Sequence, residues 1–280
     1  MKPLQNTLGL AVLALTLSVP AAAQWPDYPT RDAPRNGDGA VALDGPTPRT
    51  DTGVVDFTGI WEIQRGVIGG GSQAREQGEP EPPGAPDGTP PLAAFFDIGA
   101  NLQVPYRNWA RELRAQRMAD NQKDNPDAHC LPMGHMQFHL HPQPREIIQT
   151  PDVIVMIYEG NAGVRQIFLD GRETPGNDPI SWWYGYSWGR WEGDELVVTT
   201  THMKDTWLDV FGSPFTEDGT IIERFRRPSY GRMEIDVTID DPIAYTEPFT
   251  VRVNHRILVD SSLIEFVCIE NEQSSAYYDP

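Results

Sequence analysis

The sequence predicts a mainly β protein in which an antiparallel meander closes into a lipocalin-like β-barrel or a sandwich. One amphipathic helix and long loops complete the predicted fold. Two observations support it. Segments of alternating apolar and polar residues, separated by turn signals, fill the chain from residue 138 onward. The 25 Gly and 26 Pro among 280 residues also argue against a helical bundle.

The N-terminal 23 residues have the pattern of a cleavable signal peptide. Lys2 precedes an apolar run at residues 8–19, and an A-x-A cleavage motif follows at residues 21–23. A helix over that run spans about 18 Å, less than the roughly 30 Å of a bilayer core. No cysteine follows the cleavage motif, so we expect a periplasmic or secreted protein rather than a lipoprotein.

The net charge limits the classes of molecule that the protein is expected to bind. The formal net charge of −18 disfavours nucleic acid, because phosphate recognition needs a basic face. No later run of 18 apolar residues offers a membrane anchor. A small-molecule ligand or substrate is therefore the expected partner, and the oligomeric state stays open.

Two cysteines, Cys130 and Cys268, remain in the chain. In an oxidising compartment such a pair is expected to form a disulfide. The alternative is two buried thiols that never meet. A bridge would attach the histidine-rich segment around Cys130 to a C-terminal strand.

The chain divides into a polar lead-in at residues 24–55 and a single β-rich domain at residues 56–280. Within the domain, residues 66–92 are rich in Pro and Gly and predict a long loop. Residues 104–123 carry Trp109, Leu113 and Met118 at helical spacing and predict a helix that ends before Pro126.

Nine further segments read as strands after the first one at residues 56–61. Each is bounded by Gly, Pro, Asp, Asn or Ser turn signals. They are residues 146–150, 153–159, 164–169, 182–191, 195–201, 220–226, 231–240, 249–259 and 263–270. Short turns between consecutive strands predict the meander.

The first strand contains Gly59-x-Trp61. This pair resembles the start of a lipocalin barrel, which implies that Trp61 plugs one closed end and that Gly59 lets it pack.

A wider resemblance covers nearly everything from residue 57 to residue 271. It joins the chain to a family of exported bacterial β-rich proteins, most of which have no assigned function. The motifs are DAHCLPxG at 127–134, EIIQTPD at 146–152, RQIFLDGR at 165–172, GRWEGD at 189–194 and ERFRRP at 223–228. The resemblance implies export and one β-rich domain, and it supplies no catalytic residues.

Histidines cluster between residues 129 and 141, at His129, His135, His139 and His141. If residues 138–141 form a strand, His139 and His141 project from one face and are candidate metal ligands. A third ligand would come from His202, Asp205 or Glu159. The alternative is that both histidines lie on the solvent side and that His129 caps a turn.

Aromatic residues cluster between residues 182 and 191. On a strand, alternate members share one face, and the surplus over core needs suggests a lining for an apolar or aromatic ligand. The candidate ligand contacts are Tyr158, Arg165, Trp182, Tyr184, Tyr186, Trp188 and Trp207. Trp183 and Trp191 are expected on the opposite face.

A third candidate site follows the strand at residues 195–201. His202 with Asp205 or Asp209 provides a base and an orienting carboxylate. Arg165, Arg172 and Tyr158 are candidates to hold a developing anion. The basic cluster at residues 223–227 is expected to pair with local carboxylates, and an anionic ligand there is the alternative.

These features predict an exported enzyme: a lyase, isomerase or hydrolase. Its substrate would be a small hydrophobic or aromatic molecule bound in an aromatic-lined barrel. His139, His141, His202 and Asp205 would supply acid–base chemistry, or His139 and His141 would hold a divalent metal. No nucleotide cofactor is expected, because the phosphate-loop and dinucleotide fingerprints are missing. The alternatives are a non-catalytic lipocalin-like carrier and a carbohydrate-active or carbohydrate-binding protein.

Overall fold

Nine strands close into a barrel in the computed structural model, which describes residues 29–64, 104–176 and 180–270. The predicted signal peptide and the loop at residues 66–92 lie outside the described residues. The barrel strands are β1 (Gly59–Ile63), β2 (Arg145–Gln149), β3 (Val153–Tyr158), β4 (Val164–Phe168), β5 (Tyr186–Glu192), β6 (Glu195–Thr201), β9 (Thr220–Ser229), β10 (Arg232–Asp240) and β11 (Phe249–Ile257). A small separate hairpin consists of β7 (Thr206–Trp207) and β8 (Pro214–Phe215).

The strand order around the barrel is β1-β11-β10-β9-β6-β5-β4-β3-β2, and β2 returns to β1. This closed, mainly β architecture confirms the predicted fold class. Every neighbouring pair is antiparallel except β4 and β5, which run parallel with Ile167 opposite Ser187. A parallel pair needs a long connection. The segment between Phe168 and Tyr186 supplies it, so the predicted strand start at residue 182 is too early.

Alternation of side chains fills the barrel. In β10 the apolar Met233, Ile235, Val237 and Ile239 are buried, while the intervening residues are partly exposed. Strands β3, β9 and β11 show a similar alternation, because successive side chains point to opposite faces of a sheet, whereas β6 buries Leu196, Val197 and Val198 in succession. The strand predicted at residues 263–270 is wrong: that segment has no strand pairing and leaves Ile264 and Ile269 exposed.

Trp61 lies fully buried inside the barrel. Its Nε1 donates a hydrogen bond to the Phe57 carbonyl over 2.9 Å. Gly59 adopts a φ of 142°, and a Cβ there would meet the Ile257 side chain at 3.1 Å. Glycine therefore permits the close approach of β1 to β11 beside this tryptophan.

The lead-in is tied to one end of the barrel by backbone hydrogen bonds. Tyr230 and Gly231, in the turn between β9 and β10, donate to the carbonyls of Gly45 and Leu43. Arg49 also forms a bidentate ion pair with Asp194. The described part of this polar segment thus covers the β9–β10 turn.

The predicted helix is confirmed as α1 (Asn108–Ala119), shorter than expected at both ends. The prediction that Trp109, Leu113 and Met118 form the buried face of this helix is wrong. Trp109 and Met118 are about 40% exposed, and Ala110 is the buried residue of the helix. Trp109 instead donates its indole N–H to the Ile243 carbonyl, and the Arg117 guanidinium lies over the Trp207 ring.

A second helix, α2 (His135–Leu140), replaces the strand predicted over residues 138–141. All six of its side chains are buried. Four residues of alternation were too few to distinguish strand from helix. Pro132 and Pro142 flank the helix, and Gln137 caps it by accepting the Gly134 backbone N–H over 2.9 Å.

The predicted disulfide between Cys130 and Cys268 is confirmed. It attaches the C-terminal segment to the residues that lead into α2. On the chain-entropy model, closing a loop of 138 residues stabilises the fold by roughly 4–5 kcal/mol. Such bonds persist in oxidising compartments. Among the described helices, none has the length and apolar character to cross a membrane.

Candidate active site

Helix α2 projects histidine side chains into the barrel from one end. A Cβ on Gly134, the residue before the helix, would overlap the Trp207 carbonyl, so glycine is required for α2 to enter here. Because residues four apart share a helix face, His135 and His139 point the same way. Both meet Glu223, which projects inward from β9.

Glu223 is the centre of a buried polar group that we call the interior cluster. Its members come from α2 and from six strands: Arg145, Arg165, Glu223, His135, His139, His255, Ser187 and Thr200. Each is no more than 1% exposed. Arg165 binds both Glu223 oxygens and also donates to Ser187 and Thr200. Buried charges require such partners, because the interior provides no water to solvate them.

His139 donates its Nε2–H to Glu223 Oε1 over 2.8 Å. This assignment follows from the ionised carboxylate, which accepts hydrogen bonds and donates none. The other ring nitrogen, Nδ1, therefore carries a lone pair. It faces Arg145 Nη1 at 3.4 Å, a long contact.

Burial and charge set the protonation states. Burial alone would raise the pKa of Glu223, but the Arg165 charge and the two histidines hold it well below its usual range. Burial lowers the pKa of His139 to about 3, against the opposing effect of Glu223. The cluster at neutral pH thus holds an ionised Glu223, a charged Arg165 and a neutral His139.

The nearest arrangement to a metal site is His135, His139 and Glu223, whose ligand atoms lie within 4.8 Å of one another. Two histidines and a carboxylate are suitable ligands for a divalent ion. However, Arg165 already occupies both Glu223 oxygens, and Arg145 adds a second positive charge nearby. Adding a divalent cation would increase an existing excess of positive charge, so this donor set does not fit a resident metal.

Arg145 is the least satisfied member of the cluster. Its guanidinium contacts the His139 carbonyl at 3.2 Å and stacks near the Tyr158 ring, 5.8 Å from its centroid. Its Nε has no hydrogen-bond partner among the described residues. His255 donates its Nε2–H to the His139 carbonyl, and its Nδ1 likewise has no partner there.

An aromatic wall stands beside the cluster. Phe138, Tyr158 and Tyr184 pack with ring centroids 4.9–5.9 Å apart. The Tyr184 hydroxyl is buried without a hydrogen-bond partner in the described part of the chain. Burial raises the pKa of both tyrosines, so both hydroxyls stay protonated donors.

Four of the sequence-predicted residues meet at this site: His139, Tyr158, Arg165 and Tyr184. His141 does not share the His139 face as predicted, because the segment is helical and His141 ends the helix. Burial and the Arg145 charge lower the pKa of His141 to about 4. Glu159 is not a third ligand either, since it accepts the Ile264 backbone N–H.

The expectation that Trp182, Tyr186 and Trp188 line the interior is wrong. Ser187 faces inward to Arg165, so its neighbours in β5 point outward. Tyr186 packs on the outer surface against Phe168 and Trp182. Trp207 lies outside the cluster, buried in β7 beneath Arg117.

His202 and Asp205 do not form the predicted base and carboxylate pair. The ring nitrogens of His202 contact the Thr201 hydroxyl at 2.8 Å and the Gly176 carbonyl at 2.6 Å. Asp205 accepts the Glu217 backbone N–H. Arg172 is also remote from the cluster, paired with Asp170 over the Phe168 ring. These side chains hold loops on the outer surface.

The basic cluster at residues 223–227 divides between the two faces of β9. Arg224 and Arg226 pair outside the barrel with Glu192, Glu195 and Asp236, as predicted. Glu223 and Arg227 point inward.

The sequence analysis assigned no site role to four ionisable members of the cluster: His135, Arg145, Glu223 and His255. The alternation of apolar and polar residues along the strands already indicated that two of these residues are buried. Glu223 shares a face with Ile221 and Phe225, and His255 shares one with Val253 and Ile257. A charged residue on the apolar face of a predicted strand indicates a buried polar site.

Comparison of the chain with protein-family models, with curated proteins and with solved structures finds no match in any of the three. Function is therefore inferred from the residues of the barrel.

Proposed function

We propose that the protein is an exported enzyme that moves a proton on a small molecule bound inside the barrel. The observation that carries this proposal is the His139–Glu223 hydrogen bond of 2.8 Å. A carboxylate on one ring nitrogen orients an imidazole and increases the basicity of the other nitrogen. Arg165 fixes the carboxylate in turn.

In this proposal His139 Nδ1 is the general base, and the protonated ring later returns the proton. Burial keeps the His139 ring neutral at pH 7, so Nδ1 carries the lone pair that would take the proton. Glu223 stabilises the positive charge that forms on the ring during the reaction. Proton transfer of this kind is the central step of isomerases and lyases, and it activates water in hydrolases.

Export is supported by the predicted signal peptide at residues 1–23 and by the Cys130–Cys268 disulfide. The aromatic wall of Phe138, Tyr158 and Tyr184 supports a ligand with an apolar or aromatic portion. A non-catalytic carrier would bind a ligand at the same place. It would leave every carbon-bound proton of that ligand unexchanged.

The test is deuterium exchange followed by proton NMR. The wild-type protein is incubated in D₂O with a panel of small ketones, hydroxy acids and unsaturated acids. We expect loss of a C–H signal from at least one compound, slowed about 10²–10⁴-fold by His139→Gln. Glu223→Gln should also slow the exchange, because the orienting carboxylate is lost.

The matched control is His202→Gln, which changes a histidine on the outer surface. It should exchange at the wild-type rate, and all variants must keep the wild-type circular dichroism spectrum. Equal exchange in wild type and His139→Gln would contradict the proposal. A compound that binds wild type without exchange would favour the carrier.

A further inference from the structure

The strongest unexplained feature of the interior is the charge of Arg145. The described interior cluster holds one ionised carboxylate, Glu223, and two guanidinium groups. Arg165 neutralises Glu223 through a bidentate pair. Arg145 forms no salt bridge with a described carboxylate, although its side chain is 1% exposed. Fully buried charges without a partner are rare, because desolvation is so unfavourable.

The groups around Arg145 do not compensate this charge. His139 and His255, the imidazoles nearest to it, have pKa values lowered by burial and stay neutral. Tyr158 offers its ring face, and burial keeps its hydroxyl protonated. The His139 carbonyl accepts hydrogen bonds from Arg145 Nη2 and His255 Nε2, at 3.2 and 3.1 Å. The Glu223 charge also acts on Arg145, but Arg165 already binds both Glu223 oxygens, so Arg145 has no carboxylate of its own among the described residues.

Unpartnered polar atoms are concentrated at the same place. Arg145 Nε, His255 Nδ1 and His135 Nδ1 are buried and lack hydrogen-bond partners among the described residues, while His135 Nε2 lies 3.5 Å from Glu223 Oε1. More than nine in ten buried polar groups in proteins find a partner. Several orphans beside one uncompensated cation point to a ligand that supplies negative charge and hydrogen-bond acceptors.

A second buried arginine provides an internal control. Arg227 is also buried and has no carboxylate partner in the described part of the chain, yet its guanidinium donates to the Asp56 and Tyr230 carbonyls. Its planar group also lies over the Trp61 ring, 4.8 Å from the centroid. This barrel can therefore satisfy a buried guanidinium with its own groups, and it does not do so for Arg145.

We propose that Arg145 binds the carboxylate of a small monoanionic ligand inside the barrel. One negative charge balances the one uncompensated guanidinium, and a planar carboxylate matches the guanidinium fork. This inference names the substrate class of the proposed enzyme and so rests on the same site. The base nitrogen His139 Nδ1 lies 3.4 Å from Arg145 Nη1, so a carbon next to the bound carboxylate would lie beside the base.

The test compares carboxylates with matched neutral amides. Thermal unfolding of the full chain is followed at pH 7 and constant ionic strength with formate, acetate or benzoate, and with formamide, acetamide or benzamide. We expect at least one carboxylate to raise the midpoint of unfolding by several degrees, while its amide has no effect. Ligands that bind the native state alone stabilise it in this way.

Arg145→Met should fold and lose the carboxylate effect. Arg145→Lys should keep a weaker effect, because a point charge replaces the planar fork. Arg172→Met, which removes an arginine from the outer surface, should respond as the wild type does.

Two results would overturn the inference. One is a wild-type protein that no carboxylate stabilises more than its amide. The other is a carboxylate effect that survives in Arg145→Met. If Arg145→Met fails to fold, the test rests on two results: the difference between carboxylates and amides in the wild type, and the size of the carboxylate effect in Arg145→Lys. Carboxylate binding without proton exchange would remove the enzyme proposal and keep this one. Proton exchange of neutral compounds without any stabilisation by carboxylates would remove this inference and keep the enzyme proposal.

Discussion

The barrel contains two buried regions in which an arginine must be accommodated, and they differ in completeness. Beside Trp61, Arg227 donates to two backbone carbonyls and lies against two aromatic rings. Beneath α2, Arg145 makes two long contacts, both to His139, and leaves its Nε without a described partner. Burial lowers the pKa of both guanidinium groups to about 10.

This difference separates a structural polar site from a binding site. A buried network that serves stability alone gains most when every donor and acceptor is paired. Unpaired groups persist where function uses them. We infer that the Arg227 region contributes to folding, whereas the region under α2 has the unpaired groups that the proposed ligand would use. Changes in the two regions should therefore have different thermodynamic consequences.

The largest effect is expected for Arg165→Met. Glu223 would remain as a buried carboxylate without its main partner, which destabilises proteins by about 3–5 kcal/mol. Chemical denaturation measures the loss. The double variant Arg165→Met with Glu223→Leu should recover most of it, because both charges are removed. A neutral effect of the single variant would contradict the central role of this ion pair.

The second effect is expected for Arg227→Met. The carbonyls of Asp56 and Tyr230 would lose a donor, at roughly 1–3 kcal/mol for each buried acceptor left unpaired. Denaturation midpoints of wild type and variant provide the comparison. The exposed Arg172→Met should change stability by less than about 0.5 kcal/mol. If both variants behave alike, the Arg227 region has no special structural role.

Acid sensitivity tests the neutral histidines under α2. Burial depresses the pKa of His139 to about 3 and that of His255 well below 6.5. The unfolded chain then binds more protons than the native one below pH 6.5, so stability is complete above that pH and falls as pH decreases. At pH 5 the depressed pKa of His139 should cost about 2 kcal/mol of stability, and His255 should add a cost of the same sign.

Denaturation at pH 7, 6 and 5 measures this slope. Glu223 does not contribute in this range, since its folded pKa lies well below 4.5 and its stabilisation is lost at more acidic pH. His255→Asn should make the decrease of stability with falling pH less steep, because unfolding then takes up about one proton fewer. An unchanged slope would show that His255 is not held neutral by burial.

The smallest effect on stability is expected for Arg145→Met. The substitution removes an uncompensated buried cation and keeps an apolar side chain of similar length. We therefore expect no loss of stability, or a small gain, without added ligand. A loss as large as that of Arg227→Met would show that Arg145 is fully compensated in the native state, and the contrast between the two regions would disappear.

Several parts of the candidate site could be read from the chain and several could not. His139, Tyr158, Arg165 and Tyr184 were predicted as site residues, and they lie together. His135 was missed because the histidine-rich segment has neighbouring prolines and too few residues to reveal its periodicity. The strand residues Glu223 and His255 lie on apolar faces, but their positions in the chain do not show which residues they meet. The expected role of His202 is not supported by its contacts, since its ring holds the Gly176 carbonyl.

The aromatic residues between 182 and 191 also show that the sequence predicts which residues are present but not which face of a strand they occupy. Its composition correctly suggested more aromatic surface than a core requires. Which face each ring occupies depends on where β5 begins, because a shift of one residue reverses every side chain. The structure starts β5 at Tyr186 and directs Ser187 inward, so Tyr186 and Trp188 lie outside.

By itself, the sequence determined the strand periodicity, the mainly β fold class and the cysteine pair available for a disulfide. These properties follow from the local order of residues and from the chemistry of their side chains, both of which are visible in the sequence. The tertiary structure alone decided that the sheet closes, that α2 enters the barrel, that Glu223 meets His139 and that Arg145 has no carboxylate partner among the described residues. Those contacts join residues far apart in the chain, and burial gives them their electrostatic strength.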